Sequence, residues 1–151
     1  MQISAKADYA VRALIELAAQ DGGPVKGDQL AAAQQIPPKF LEAILAQLRQ
    51  ARLVQSRRGA EGGYWLARPP AEIHLAEIIR AVDGPLASVR GQRPETVAYH
   101  GAARRLTQVW VAVRASLRVV LDEVTLEDVL TGTLPPDVQA LAADPAARTT
   151  R

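Results

Sequence analysis

Two consecutive prolines, Pro37 and Pro38, decide how the first third of this chain can fold. Proline fixes its own φ and has no backbone donor, so no helix runs through Pro37. Helical patterns nevertheless stand on both sides. Upstream, Gly27–Gln35 reads as a short helix with Leu30, Ala31 and Ile36 as its buried side. Downstream, Phe40, Leu41, Ile44, Leu45 and Leu48 form an apolar stripe through Arg52. Pro38 suits the first turn of that second helix, where its missing N–H costs nothing. The opposite face offers Lys39, Glu42, Ala43, Gln47, Arg49 and Gln50. Two helices joined by so short a turn, the second polar on its outer face, form a helix-turn-helix pattern.

The next segment narrows the architecture. Leu53–Arg57 and Gly63–Ala67 are short strand candidates, separated by R-G-A-E-G-G from Arg58. A glycine-rich loop beside arginines has two readings. A loop that cradles nucleotide phosphates runs strand–loop–helix and ends in Lys-Ser or Lys-Thr. This one runs strand–loop–strand and lacks that lysine, so it reads as a β-hairpin whose glycines permit positive φ. Helix, helix, hairpin in that order is a winged helix, with the glycine tip as the wing. The expected class is mainly α with a small β-hairpin wing: a winged helix-turn-helix domain plus a long C-terminal dimerisation helix.

An N-terminal helix, Ser4–Gln20, precedes this unit. Ser4 is placed to cap it, and Tyr9, Ala10, Ala13, Leu14, Leu17 and Ala18 recur at helical spacing. The turn D-G-G-P, Asp21 to Pro24, ends it. After Pro69–Pro70 a helix is expected over Leu75–Asp83, stopped by Gly84 and Pro85, then a polar loop over Pro85–Glu95. From Thr96 to about Val124 one long helical pattern carries Leu106, Trp110, Val113, Leu117, Val120 and Val124 at alternating three- and four-residue steps. That is an a/d seam, and it calls for a partner. A second copy of the chain is the natural one, because most soluble oligomers are two-fold symmetric; folding back on its own domain is the alternative. Thr125 caps a last short helix, Leu126–Leu130, and the chain from about Leu134 reads as a frayed tail. The expected organisation is a winged-helix domain over 1–84, a linker over 85–95, the dimerisation helix and short helix over 96–133, and a flexible tail over 134–151.

Composition supports this and excludes much else. Aromatics are only 4% of the 151 residues, so the core must be built from Ala, Leu, Val and Ile, which favours helices. The chain has no cysteine. Disulfides, thiolate metal sites and cysteine nucleophiles are therefore ruled out, in agreement with a reducing cytoplasm. The N-terminus M-Q-I-S-A-K-A-D-Y lacks the basic-then-apolar pattern of a signal peptide, and no run approaches the roughly 18 apolar residues of a membrane span. No nucleophile–base–acid set or metal cluster is apparent, so no enzyme is expected and no cofactor is assigned.

The net charge of +2 says little, but its distribution says more. From Lys39 to Arg68, six basic residues (Lys39, Arg49, Arg52, Arg57, Arg58, Arg68) stand against Glu42 and Glu61. A local basic stripe on a nearly neutral protein is the footprint of polyanion binding, although a charge cluster alone is equally a solvated face. Arg58 suits a narrow minor groove. Lys39 suits phosphate or guanine, and Glu42 a cytosine amino group. Gln47, Arg49 and Arg52 suit phosphates.

These segments also resemble one family. I-S-A-K-A-D-Y-A-V-R-A-L at the N-terminus, P-P-K-F-L-E, L-R-Q-A-R-L-V, R-G-A-E-G-G-Y and I-I-R-A-V-D-G (Ile78 to Gly84) together resemble the Rrf-two family of winged-helix transcription regulators, from the start of the chain to about Leu130. The resemblance implies a homodimer on a palindromic operator of double-stranded DNA, with the long helix at the dimer interface: Leu106, Trp110, Val113, Leu117 and Val120. It implies that Lys39, Glu42 and Ala43 face base edges and that the wing arginine Arg58 reaches the minor groove; by their place at the wing, Arg57 and Gly59 are also expected to contact DNA. Ala43 stands where some relatives carry a polar reader, so a different operator sequence is expected.

The chain departs from the family between Pro85 and Arg105, where cluster-binding relatives place three cysteines. Iron–sulfur clusters are held by thiolates with at most partial histidine replacement. His100 alone, even helped by Asp8 of a partner's first helix, does not suffice. Control by a small ligand or by a protein partner is then expected, with constitutive binding to DNA as the alternative. Tyr9, Trp65 and His100 are the residues expected to line such a ligand's pocket, with Trp65 and Trp110 otherwise read as core or interface. The competing reading is a winged-helix protein-interaction module that no longer binds DNA.

Overall fold

The computed structural model describes residues 1–20 and 22–149. Asp21 of the D-G-G-P turn and the last two residues of the tail lie outside the described residues.

Helix α1 (Ala5–Ala19) is the spine. The Ser4 hydroxyl accepts from the Ala7 amide at 2.9 Å, so the capping expected there is made. Ala7, Ala10, Ala13, Leu14 and Leu17 are buried, and the small alanines among them let other helices approach closely. α1 touches α2 (Gly27–Gln34), α3 (Pro38–Gln50), α4 (Leu75–Asp83) and α6 (Leu126–Thr131).

The turn between α2 and α3 is built without glycine. Gln35 takes the left-handed conformation at φ 53°, which lets the Ile36 amide donate to the Ala31 carbonyl and drops Ile36 into the core. Arg12 braces this turn from α1. Its guanidinium donates to the Gln34 carbonyl and to Gln34 Oε1, pairs with Asp8, and lies 5.3 Å from the Tyr9 ring centre.

α3 starts on Pro38 as expected, but it ends at Gln50 rather than running to Arg52. Arg52 is left-handed at φ 60°, and the Leu53 amide returns to the Leu48 carbonyl while the Leu53 side chain enters the core. Burial of Leu53 thus outweighs one more helical turn. Phe40 also departs from the expected stripe. It is 45% exposed and meets Tyr9 edge-on, ring centres 5.6 Å apart.

The hairpin pairs β1 (Val54–Arg57) with β2 (Gly63–Leu66), antiparallel, in the register Val54–Leu66 to Arg57–Gly63. One feature had no local signal. Val25, between α1 and α2, pairs with Tyr64 through both amides, at 2.9 and 2.8 Å. Gly63 is required there: its φ is 145°, and a Cβ would stand 2.6 Å from the Val25 carbonyl oxygen.

The largest difference from expectation lies in the long helix. α5 is Leu106–Leu121, not a helix from Thr96. Pro94–Thr96 is a single 3-10 turn, the chain then extends, and Gly101 opens a second turn at φ 59°. Pro94 and Val97 are buried, and the Thr107 hydroxyl donates to the Val97 carbonyl at 3.0 Å. Packing those two side chains against α5 takes the backbone out of the helix. Val124 does not belong to the seam either. It lies past the end of α5, 2% exposed, and its carbonyl accepts from the Leu75 amide. Thr125 caps α6 through a reciprocal pair with Asp128, as its position foretells. The segment read as a tail contains α7 (Pro136–Ala143), with Val138 buried. Pro136 starts it on the same terms as Pro38 starts α3. Among the described residues, no helix is long and apolar enough to cross a membrane.

Candidate nucleic-acid interface

α3 is held from below and open above. Leu41, Ile44, Leu45 and Leu48 are buried to within 1%. Lys39, Glu42, Ala43, Ala46, Arg49 and Gln50 therefore form a single exposed strip, while Gln47 is half-buried at its edge. A helix with its inner face locked and its outer face free presents side chains at a fixed orientation.

The wing stands beside this strip. Glu42, Ala46 and Arg49 from α3, with Ser56, Arg57 and Arg58 from the hairpin, line a groove of about 290 Å³. Arg49 Nη1 donates to the Ser56 hydroxyl at 3.2 Å, tying helix to wing. Arg57 Nη2 donates to the Glu61 carbonyl at 3.0 Å and so braces the tip. The tip itself is a turn in which the Gly62 amide donates to the Gly59 carbonyl. Gly62 tolerates no side chain, since a Cβ would meet the Arg57 carbonyl. Lys26 Nζ also donates to the Gly59 carbonyl and anchors the wing to the start of α2. Arg58 and Lys39 have no ion pair or side-chain hydrogen bond among the described residues; nor does Glu42. These three hold their full polar capacity in reserve, whereas Arg57 and Arg49 spend part of theirs on shaping the groove.

The structure thus brings Glu42, Arg49, Arg57 and Arg58 around one groove, leaves Lys39 and Ala43 exposed on the same strip of α3 and Gly59 exposed at the wing tip, and sets Gln47 at the strip's margin. Ala46, Ser56 and Lys26 were missed. Ala46 has a signal in retrospect, since it falls on the exposed side of α3; Ser56 has none, being half-buried on the same face of β1 as Val54. Lys26 has none: it reaches Gly59 across 33 positions of sequence.

The wing's far strand is fastened to the rest of the domain. Arg68 pairs with Glu77 at 2.6 Å and donates to the Glu72 carbonyl. Burial alone would raise the Glu77 carboxyl, but the hydrogen bonds from Arg68 and from the His74 amide outweigh it and leave the group below its ordinary value.

The expected ligand pocket is not assembled. Trp65 donates to Gln55 Oε1 and lines a cleft of about 400 Å³ with Leu17, Arg68 and Pro69; neither Tyr9 nor His100 lines that cleft. Tyr9 packs on Phe40 and Arg12, and His100 is exposed ahead of α5. The expected seam residues Leu106, Trp110, Val113, Leu117 and Val120 are all only half-buried, and no residue of α5 is buried. Val109 and Val119, outside that heptad reading, are each 51% exposed.

The segment from Pro85 to Arg105 is closed without metal ligands. Leu86, Pro94 and Val97 plug it from inside, and Glu95 pairs with Arg114 of α5 at 2.5 Å. Among the described residues no group of His, Cys, Asp and Glu is arranged to hold a metal ion, and the chain has no thiolate to offer. The donor set does not fit a thiolate-held cluster.

Comparison with known proteins agrees with this geometry. The family model described as "Rrf2: Iron-dependent Transcriptional regulator" matches residues 3–132. A Mycobacterium tuberculosis protein named "Putative HTH-type transcriptional regulator Rv1287" is 57% identical over 145 residues, covering 95% of this chain and 90% of that protein. Among solved structures, CymR, the global cysteine regulator of B. subtilis, superposes with a TM-score of 0.73 at 36% identity, covering 88% of this chain and 98% of that one. T. potens IscR superposes with a TM-score of 0.71 at 32% identity, covering 100% and 93%.

Proposed function

Since this chain belongs to the Rrf2 family of transcriptional regulators, we propose that it works as a homodimer reading a palindromic operator with two winged helices. It is a DNA-binding transcriptional regulator, not an enzyme. The observation that carries the finer reading is the groove between α3 and the wing, held from below by the buried side of α3 and lined by Arg58, with Lys39 exposed on the same helix; neither cation has an ion pair among the described residues. Lys39, Glu42 and Ala43 face base edges in the major groove; Arg58, at the wing tip with Gly59, enters the minor groove. Gln47, Arg49 and Arg57 meet phosphates and set the register. A protein-docking wing has no use for such an array of arginines, which disfavours the interaction-module reading.

The dimer forms through α5. A helix with no buried residue and exposed valines leaves apolar surface that a second copy covers. Val109, Val113 and Val120 lie on one side at helical spacing, with Val119 beside them. The protein acts in the cytoplasm, where the DNA is. With no thiolate for a cluster, its control rests on a small ligand or a protein partner.

The test is binding to genomic fragments, its own promoter included, at two salt concentrations, by fluorescence anisotropy. Salt-sensitive binding to a palindromic site is expected. Arg58→Ala should weaken it by about 1–3 kcal/mol. Unchanged affinity in a folded variant removes Arg58 from the readout.

A further inference from the structure

The surface where α4 meets α5 carries an unusual concentration of arginine away from the DNA-binding groove. Arg80 of α4, Arg93 of the following loop, and Arg114 and Arg118 of α5 line one pocket of about 300 Å³, floored by Pro85 and Leu86. Only two acids reach these guanidiniums among the described residues. Asp122 accepts from Arg80 at 2.7 Å and from Arg118 at 2.6 Å, and Glu95 accepts from Arg114 at 2.5 Å. Arg93 has no ion pair among the described residues. Four arginines against two carboxylates leave the pocket with positive charge in excess.

The arrangement is preorganised. A guanidinium has five N–H donors in a fixed fork, and each paired arginine commits one or two of them. Asp122 holds Arg80 and Arg118 side by side, and Glu95 holds Arg114 in place, so the remaining donors are fixed without being spent. Burial would raise the Asp122 carboxyl, but the two arginine hydrogen bonds outweigh it and hold the group below its ordinary value. A solvated face of like charges would instead spread apart to reduce repulsion.

We propose that this pocket is a binding site for a compact dianion, a phosphate ester or a dicarboxylate, whose charged groups take the free guanidinium donors while its small apolar body rests on Pro85 and Leu86. This rests on the reading of the chain as a ligand-controlled regulator and names the ligand's chemical class. The position suits an effector. α4 packs on α1 inside the DNA-binding unit and α5 carries the dimer surface, so an anion bridging Arg80 to Arg114 and Arg118 fixes the angle between the two. Ligands that contact two elements shift whatever equilibrium exists between them by their differential affinity.

The experiment is calorimetric titration of the full-length protein, free of DNA, with inorganic phosphate and separately with succinate, each against sodium chloride at matched ionic strength. Saturable binding of at least one probe is expected, and which one binds tells phosphate esters from dicarboxylates. Arg93→Ala, which breaks no ion pair, should weaken that binding by about tenfold or more. Arg58→Ala should leave it unchanged, since Arg58 belongs to the DNA groove. Absence of saturable binding to both probes overturns the proposal, as does equal weakening by Arg58→Ala or none by Arg93→Ala. Because DNA is absent, failure here leaves the operator reading standing, and failure of the operator test leaves this one standing.

Discussion

The winged-helix unit and α5 are both rich in Leu, Val and Ala, yet they use those residues in opposite ways. In the former, Leu14, Leu30, Leu41, Ile44, Leu45, Leu48, Leu53 and Ile78 are all buried to 2% exposure or less. In α5 no residue is buried, and Val109, Val111 and Val119 each stay more than two-fifths exposed. The first region closes on itself; the second leaves its apolar side open, and in the proposed dimer a second copy covers it. An exposed lone valine is ordinary, but a whole helix of half-covered apolar residues is not. Similar composition therefore says nothing about which apolar residues stabilise the monomer and which wait for a partner.

Substitutions test that contrast. Leu45→Ala should cost about 2–5 kcal/mol in urea unfolding, because it opens a cavity that α1 and α3 cannot collapse. A cost under about 1 kcal/mol would mean that the winged-helix core is looser than its burial indicates. On α5 the same chemistry should read out in association instead. The double change Val109→Asp, Val119→Asp should weaken dimers by roughly tenfold to a hundredfold in sedimentation. Far-UV dichroism should stay unchanged, since neither valine is buried in the single chain. If the two aspartates leave the dimer intact, the interface lies elsewhere.

The smallest effect concerns the joint between the regions. Asp122 ties α4 to α5 through Arg80 and Arg118, and its folded-state carboxyl lies below its ordinary value of 3.8. A group depressed on folding contributes stability above its unfolded value and loses that contribution as the pH falls through its folded value. Asp122→Asn should therefore cost about 0.5–1 kcal/mol at neutral pH and progressively less below about pH 4, measured by thermal melting across that range. A cost that persists unchanged at about pH 2 would locate the effect in packing rather than charge.

Much of the winged helix was legible because its signals are local. A proline at the first turn, a serine cap, an apolar stripe at helical spacing and a glycine hairpin each declare their element within a few residues. The exposed strip of α3 could be read the same way, as the complement of its buried stripe. The tie from Lys26 to Gly59 and the pairing of Val25 with Tyr64 could not, since each joins segments more than thirty residues apart.

By itself, then, the amino-acid sequence determined the order of the elements from α1 to α4, the polar face of α3, the glycine wing and the absence of any thiolate. The tertiary structure decided where α5 begins, which of its apolar residues stay open, and that four arginines from three segments share one pocket. The physical reason is the range of the interactions. Periodicity, caps and turn residues act within one or two helical turns. Burial of Pro94, Val97 and Leu53, and the convergence of Arg80 and Arg93 with Arg114 and Arg118, depend on contacts that exist only once distant segments have packed.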